Sequence, residues 1–312
     1  MARLGPASFP MTSNHDPFSL KALSAGPIAW RALRNPATGR VIAVFERCFY
    51  VDFSRTTLCI GPRDFSEGPL NVVTDAPAST SWSASGLRVG DPASLTTHHI
   101  LAGSHLRFDL SSLSPWLPEP RKFGASAQLS LVQISNFYRD HRPNDGLAAH
   151  IFEEKVISLP RAQRPLSELA TWLKQRLRTC RADVASPISK LLGMGPGLTP
   201  SGDDFIGAMM ITLRWLDENG SADDLARAVG ELAPTATNPV SAQHLHAAGE
   251  GYGSDALHDL LNAIADTDTQ RQRTALKKLV ATGHSSGWDA LAGVYATLKV
   301  WQDVQRSKTL AA

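Results

Sequence analysis

The sequence predicts an α+β fold in which an N-terminal antiparallel β-rich barrel or sandwich is followed by a C-terminal helical domain. Between residues 28 and 134, β-branched and aromatic side chains form short apolar runs, and turn dipeptides such as Gly61-Pro62 separate these runs. After Pro165 the apolar residues recur instead with the helical period of about 3.6 residues. This change of pattern predicts a β-rich domain over residues 1–150 and a helical domain over residues 151–312.

The β-rich domain is predicted from apolar runs that are each long enough for one short strand. These runs are Val41–Phe45, Phe49–Phe53, Thr56–Ile60, Leu70–Val73 and Leu129–Ile134. Short strands with turn residues between them are typical of small antiparallel barrels and sandwiches.

The second domain is predicted to consist of amphipathic helices. Leu166, Leu169, Leu173 and Leu177 share one face of its first helix. Further helices are predicted at Ser186–Leu192, Phe205–Leu216, Ser221–Leu232, Val240–Gly249, Ser254–Ile264, Gln270–Ala281 and Gly287–Trp301.

Composition excludes several classes of partner. Lys and Arg number 31 against 29 Asp and Glu, and no basic run stands out, which argues against binding of nucleic acid. Three widely separated cysteines predict neither a disulfide framework nor a zinc knuckle and fit a reducing cytoplasm. The first twenty residues lack the pattern of a secretion signal, and the apolar stretch Phe205–Leu216 is too short to span a bilayer. We therefore expect a cytoplasmic protein without a membrane partner.

The most informative segment is the glycine-rich loop Gly193–Asp204, which reads GMGPGLTPSGDD and leads into a helix. Alternating glycines allow backbone conformations with positive φ, so that successive N–H groups can converge on an anion. Ser201 is placed to cap the helix, and Asp204 would complete a capping box three residues later. The segment predicts a phosphate or carboxylate site at the positive end of a helix.

The glycine-rich loop lacks the features of two nucleotide-binding motifs. No Gly-Lys-Ser/Thr follows the glycines, as a Walker A loop requires, and a helix rather than a strand is predicted before them, which disfavours a dinucleotide fingerprint. A tight turn between two helices, with glycines that only relieve strain, explains the glycines alone equally well.

A second segment resembles the first. Gly283–Asp289 again places Ser-Gly-x-Asp at the start of a predicted helix, so the two openings are expected to face each other across one cleft. Ser221–Asp224 has the same cap spacing without a glycine loop, so simple helix capping remains the alternative. Asn238 and Ser241, at another helix start, are candidates for hydrogen bonds to a substrate, whereas His246 and Glu250 are expected to form a surface pair.

These motifs together carry a resemblance to a known family. The loop Gly193–Asp204, Thr237-Asn238-x-x-Ser241 and Gly283-His284-Ser285-Ser286-Gly287-x-Asp289 resemble the AllH family over roughly residues 186–298. The resemblance implies a subunit of an oxamate carbamoyltransferase in purine and allantoin degradation. Such a subunit would act on oxamate or oxalurate, with phosphate or carbamoyl phosphate, in a hetero-oligomer with other protein subunits.

The residues suggest roles for this chemistry. His284, Asp203 and Ser201 are the candidate catalytic residues, with His284 suited to proton transfer near neutral pH. The candidates for binding the anionic small-molecule substrate or phosphate are Gly195, Gly197, Thr199, Ser201, Gly202, Asn238, Ser241 and Ser286. Because Asp203 and Asp204 would repel a phosphate, Asp204 is expected to be structural. Asp203 either turns away, binds an amide N–H of the substrate, or holds a divalent cation such as Mg²⁺, the one cofactor that remains open.

Two other functions stay open at this point. One is a non-catalytic subunit that binds an anion or organises the assembly, because the sequence contains no compelling pair of nucleophile and base. The other is a metal-dependent amidohydrolase that uses Asp203, Asp204 and His284, although no compact histidine-rich ligand set accompanies them.

Overall fold

The computed structural model describes residues 17–54, 56–119, 131–141, 143, 145–149, 160–178 and 183–311. The chain divides into two compact units, Met1–Pro118 and Glu119–Ala312. The expected boundary after residue 150 lies outside the described residues. The segment before it packs in the helical unit, because Ile134, Phe137 and Leu147 belong to the core of that unit.

The first unit is an eight-stranded mixed β-barrel with one short additional strand. The elements are β1 Phe18–Ala25, α1 Pro27–Ala32, β2 Ala37–Val44, β3 Phe49–Asp52, β4 Thr57–Gly61, β5 Asn71–Thr74, β6 Pro92–Leu95, β7 His99–Ala102, β8 Leu106–Asp109 and β9 Ser114–Pro115. The strand order is β5-β4-β3-β2-β6-β7-β8-β1, and pairing of β1 with β5 closes the barrel. The predicted β-rich barrel is confirmed, and β2, β3, β4 and β5 fall on predicted runs.

Most neighbouring strands are antiparallel, but two pairs in the closed barrel are parallel. These are β1 with β8 and β4 with β5. The first half of β1 pairs with β8, and its second half turns to pair with β5, with a register shift between Ala22 and Ser24. One strand therefore joins both sides of the barrel, which a local sequence pattern does not reveal.

Aromatic side chains form the centre of the barrel core. The rings of Phe49 and Trp82 lie 5.0 Å apart, and Phe108 lies 5.9 Å and 6.0 Å from them. All three side chains are fully buried. Trp82 comes from a segment without strands, so this loop contributes to the core of the barrel.

The second unit is helical. Its helices are α2 Val132–His141, α3 Pro160–Arg176, α4 Ala185–Leu191, α5 Ser201–Trp215, α6 Asn219–Ala236, α7 Pro239–Gly249, α8 Asp255–Ala265, α9 Thr269–Val280 and α10 Ser286–Ala311. The predicted helices are confirmed. The apolar stripes predicted them correctly because a stripe at helical spacing is buried when the helix packs against a partner surface.

Helix α5 lies at the centre of this unit. Nearly all of its residues are buried, and it packs against α10, α7 and α6. A helix that is apolar on every side needs neighbours all round it. Even so, no helix within the described part of the chain combines the length and apolar character that a membrane crossing requires.

One predicted strand is wrong where the structure describes it. Residues 129 and 130 lie outside the described part, but Val132–Ile134 open helix α2. Ile134, Phe137 and Tyr138 are its buried residues, at the spacing of one helix face. The run resembled a strand because it is short and apolar. The buried residues that reveal the helical spacing, Phe137 and Tyr138, come after the run ends.

Candidate functional site

The glycine-rich loop connects α4 to α5 and has a backbone that depends on glycine. Gly193, Gly195 and Gly197 adopt φ values of +71°, +116° and +95°, which are unfavourable for residues with a Cβ atom. At Gly195 a Cβ atom would also lie only 2.8 Å from the backbone nitrogen of Ser201. The loop therefore folds back closely over the first turn of α5.

Several N–H groups of this loop have no partner among the residues that the structure describes. Gly202 donates to the carbonyl of Met194 at 2.9 Å, and Asp203 and Asp204 donate to the carbonyl of Pro200 at 2.9 and 3.1 Å. Other N–H groups donate to none of the described residues; they belong to Gly195, Gly197, Leu198, Thr199 and Ser201. Gly197 is exposed to solvent. Unpaired donors at the positive end of a buried helix are suited to an anion.

Asp203 anchors the loop through hydrogen bonds on its buried side. Its Oδ1 accepts a hydrogen bond from the backbone N–H of Gly193 at 2.8 Å. Its Oδ2 accepts from the hydroxyl of Ser241 at 2.6 Å and from the hydroxyl of Thr237. The residue is 2% exposed. Both oxygens are thus buried and engaged, an arrangement that does not fit the expected roles of catalytic group or cation ligand.

Asn238 and Ser241 also support the loop. Asn238 caps α7 by accepting a hydrogen bond from the backbone N–H of Ser241 at 3.1 Å. Its side-chain amide donates to the carbonyl of Leu198 at 3.0 Å. Because the hydroxyl of Ser241 is bound to Asp203, these two predicted substrate ligands hold the loop in place through bonds within the protein.

The predicted capping box of Ser201 and Asp204 is wrong. The N-cap of α5 is Pro200, no side chain caps the helix, and Ser201 is the first helical residue. The hydroxyl of Ser201 interacts instead with Asp289 at the start of α10. The predicted cap failed because a tertiary partner competes for the hydroxyl.

The two similar segments build similar helix starts. A Cβ atom on Gly202 would lie 1.9 Å from the carbonyl oxygen of Leu191, near the end of the helix before it. A Cβ atom on Gly287 would lie 1.9 Å from the carbonyl oxygen of Leu279, near the end of α9. In both cases the glycine follows the first serine of the helix. Each glycine lets the new helix start directly against the previous one.

The two helix starts face each other, and a serine from each lies beside the aspartate of the other. The hydroxyl of Ser286 on α10 lies close enough to Asp204 on α5 to lower its pKa, and the hydroxyl of Ser201 on α5 has the same effect on Asp289 on α10. The hydroxyls of Thr199 and Ser286 are 2.8 Å apart. We call Thr199, Ser201, Asp204, Ser286 and Asp289 the crossed cluster. The sequence singled out both segments, but it did not identify Asp289 as a site residue.

The carboxyl groups of the crossed cluster are strongly perturbed. Burial raises the pKa of Asp204 well above its usual range, against the lowering effect of the Ser286 hydroxyl. Burial likewise raises the pKa of Asp289, although the Ser201 hydroxyl and the backbone N–H of Leu147 lower it. Leu147 donates to Asp289 Oδ1 at 2.5 Å. Oδ2 of Asp204 and Oδ2 of Asp289 are buried without a hydrogen-bond partner among the described residues.

The predicted proton-transfer residue lies at the surface. The His284 side chain is 90% exposed, and its Nε2 is 3.4 Å from Oδ2 of Asp145, which is also exposed. His284 therefore lies near the crossed cluster in sequence without hydrogen bonding to its members. His246 and Glu250 form the expected surface pair at 3.2 Å.

The geometry defines a helical domain with a candidate anion-binding loop beside a buried pair of carboxyl groups. Residues 191–298 match the sequence model of a family described as oxamate carbamoyltransferase subunit AllH. The match spans both helix starts and the segment between them, so the resemblance is confirmed for this part of the chain. No solved structure matches the chain.

Proposed function

We propose that this chain is a subunit of an oxamate carbamoyltransferase and that its glycine-rich loop binds the anionic group of a substrate. One observation carries the proposal. The loop presents unpaired N–H groups from Gly195 to Ser201 at the start of α5, within the segment that matches the AllH family. A phosphate or carboxylate would complete these hydrogen bonds and gain from the dipole of α5.

The two aspartates of the loop do not prevent anion binding. The charge of Asp203 is compensated by three hydrogen-bond donors and is buried away from the loop surface. Burial raises the pKa of Asp204, so its carboxyl group stays neutral to a higher pH than an exposed aspartate would. The repulsion that the sequence suggests is therefore smaller than the adjacent pair of acidic residues implies.

Carbamoyl transfer needs stabilisation of negative charge. The amide nitrogen of oxamate attacks the carbonyl carbon of carbamoyl phosphate, and a C–N bond forms. The C–O bond to phosphate then breaks, phosphate leaves with the electron pair, and the nitrogen releases a proton to a base or to water. In the opposite direction, a phosphate oxygen attacks the carbamoyl carbon of oxalurate, the C–N bond breaks, and the departing oxamate nitrogen takes up a proton. The loop N–H groups would hold the phosphate in either direction. The hydroxyls of Thr199 and Ser286, which are 2.8 Å apart, lie beside them.

A second function is favoured by a specific observation. Within the described residues of the two helix starts, no histidine is hydrogen bonded to a serine or threonine, and the ionic partner of His284 is the exposed Asp145. A domain that binds the anion while other subunits supply the reacting groups is consistent with this arrangement. The two functions share the loop and differ in whether His284 and Asp204 affect turnover.

The test of the proposal begins with binding. Isothermal titration with carbamoyl phosphate, inorganic phosphate and oxamate should show that one of these anions binds the chain. Gly197→Ala should weaken that affinity at least about tenfold, because its φ of +95° places the N–H groups and a Cβ atom strains it without any clash. The matched control is Gly230→Ala in α6, which meets no atom and should leave affinity unchanged.

Turnover is then assayed in the enzyme reconstituted with its partner subunits, as formation of oxalurate and phosphate from oxamate and carbamoyl phosphate. Loss of activity in Gly197→Ala but not in Gly230→Ala supports the proposal. Unchanged kcat and KM in His284→Gln and Asp204→Asn would favour the non-catalytic subunit. If none of the three anions binds either the chain or the reconstituted enzyme, the proposed role of the loop is wrong.

A further inference from the structure

The crossed cluster contains two buried carboxyl groups, and no cationic side chain among the described residues balances the charge that they acquire on ionisation. The strongest influences on the pKa values of Asp204 and Asp289 are burial, hydroxyls, backbone N–H groups and other carboxyl groups. No ion pair connects either aspartate to a described Lys, Arg or His. Buried carboxylates are normally paired or bound to a metal, because an isolated one is costly.

The roles of the three neighbouring aspartates differ. Asp203 has three donors on its two oxygens, which leaves no open position. Asp204 and Asp289 each retain a buried Oδ2 without a partner among the described residues. A buried acceptor that is left unsatisfied carries a desolvation cost, and a ligand that meets it removes that cost. The two unpaired oxygens are therefore the atoms to which a ligand would bind.

We infer that Asp204 and Asp289 bind a divalent, oxygen-preferring cation such as Mg²⁺ or Mn²⁺ between the starts of α5 and α10. The hydroxyls of Thr199, Ser201 and Ser286 complete an environment of oxygen atoms, and Thr199 lies 2.8 Å from Ser286. Carboxylate and hydroxyl oxygens suit hard cations, whereas zinc prefers the nitrogen and sulfur ligands that this cluster lacks.

The number of carboxylates indicates the kind of cation site. Across the described residues, no group of three or more His, Cys, Asp and Glu side chains could hold a metal ion. Mg²⁺ commonly uses only one or two carboxylates and takes its remaining ligands from water and from a substrate phosphate. Thr199 belongs both to the crossed cluster and to the glycine-rich loop, so a cation here would lie beside the anion of the proposed function.

The experiment measures the cation alone, so it does not depend on the proposed function. Isothermal titration of the full chain with MnCl₂ and with MgCl₂, at a pH well above neutrality, should give one site per chain. Thermal unfolding should shift upward in the presence of either ion, because binding to the native state stabilises it. Electron paramagnetic resonance of Mn²⁺ gives an independent count of bound ions.

The variants localise the site. Asp204→Asn and Asp289→Asn should each weaken Mn²⁺ binding at least about tenfold and abolish the thermal shift, since each removes a charged ligand. Asp303→Asn removes an exposed carboxylate from the same helix as Asp289 and should leave binding unchanged. If the asparagine variants fold poorly, Ser286→Ala should still weaken binding of Mn²⁺.

Two results would overturn the inference. One is the absence of Mn²⁺ and Mg²⁺ binding to the wild-type chain, which would mean that protons alone neutralise the carboxyl pair. The other is binding that Asp204→Asn, Asp289→Asn and Ser286→Ala all leave unchanged, which would place the ion elsewhere. Anion binding without cation binding would retain the proposed function, and cation binding without anion binding would retain this inference.

Discussion

The starts of α5 and α10 share one short pattern, but only the start of α5 carries an anchored glycine-rich loop. Both begin with Ser-Gly, and both place an aspartate in the crossed cluster. In both, a Cβ atom added to the glycine would lie 1.9 Å from a carbonyl oxygen of the preceding helix. The difference is at the third position of each helix. Asp203 fills it in α5 and anchors the loop, whereas Trp288 fills it in α10.

This difference separates the packing of the two helix starts from the proposed binding of an anion. The shared residues fix two helices against each other and bury a carboxyl group at each start. Asp203 adds an internal anchor, and the loop N–H groups from Gly195 to Ser201 stay unpaired within the described part of the chain. The shared pattern therefore serves the packing of the two helices, and the proposed anion site depends on the anchored loop.

The largest effect should come from Asp203→Ala. The change leaves Gly193, Thr237 and Ser241 without their acceptor, and each lost bond to a buried carboxylate is costly. We expect a loss of at least about 3 kcal/mol in the free energy of unfolding. Chemical denaturation measures it. Asp204→Asn is the matched control, and equal losses in the two variants would remove the distinction between the aspartates.

Gly202→Ala and Gly287→Ala test the part that the two starts share. Each change forces a Cβ atom within 1.9 Å of a backbone oxygen, so one helix must move away from the previous one. We expect each variant to lose about 1–3 kcal/mol, as for other overpacked positions. Gly230→Ala, which meets no atom, should stabilise its helix slightly. A large loss in only one of the two variants would show that the starts are not equivalent.

The smallest effect should be a gain in stability for Asp204→Asn at alkaline pH. A carboxyl group with a raised pKa in the folded state contributes stability below its unfolded pKa and loses it as pH rises through the folded pKa. The variant should lack this loss and exceed wild type by about 1 kcal/mol when no divalent cation is present. Denaturation at increasing pH in a chelating buffer measures the difference.

The comparison with wild type is needed because two histidines also make the stability depend on pH. Burial lowers the pKa values of His244 and His258 to about 4, so their protonation destabilises the fold on acidification from about 6.5 to 4. This effect is opposite in sign to that of Asp204. A stability difference between Asp204→Asn and wild type that stays constant at every pH above the unfolded pKa of aspartate would contradict the raised pKa of Asp204, because the histidines contribute equally to both proteins.

The fold was predictable to different extents in the two units. The helical unit follows from its periodicity, because a continuous apolar stripe specifies a helix from local residues alone. In the barrel, β2 to β5 have clear apolar runs, but β6 reads Pro-Ala-Ser-Leu and β9 is only Ser114–Pro115. These short segments are strands because neighbouring strands pair with them, and pairing partners are set by the closure of the barrel.

The sequence identified the two segments that form the candidate site, but it did not identify the role of each residue in them. The repeated Ser-Gly-x-Asp indicated that the starts of α5 and α10 belong together, and Thr199, Ser201 and Ser286 do meet in the crossed cluster. His284 and Asp203 were chosen for their chemistry, but His284 is exposed and Asp203 is enclosed. Solvent exposure depends on residues distant in the chain, so the sequence pattern could not supply it.

The sequence by itself determined the helices, the bare glycine-rich loop and the resemblance between the two helix starts, because each depends on neighbouring residues. Only the tertiary structure decided which of two adjacent aspartates became the anchor. Successive residues of a helix point about 100° apart. Asp203 therefore meets Thr237 and Ser241, which are 34 and 38 residues away, while Asp204 turns toward α10.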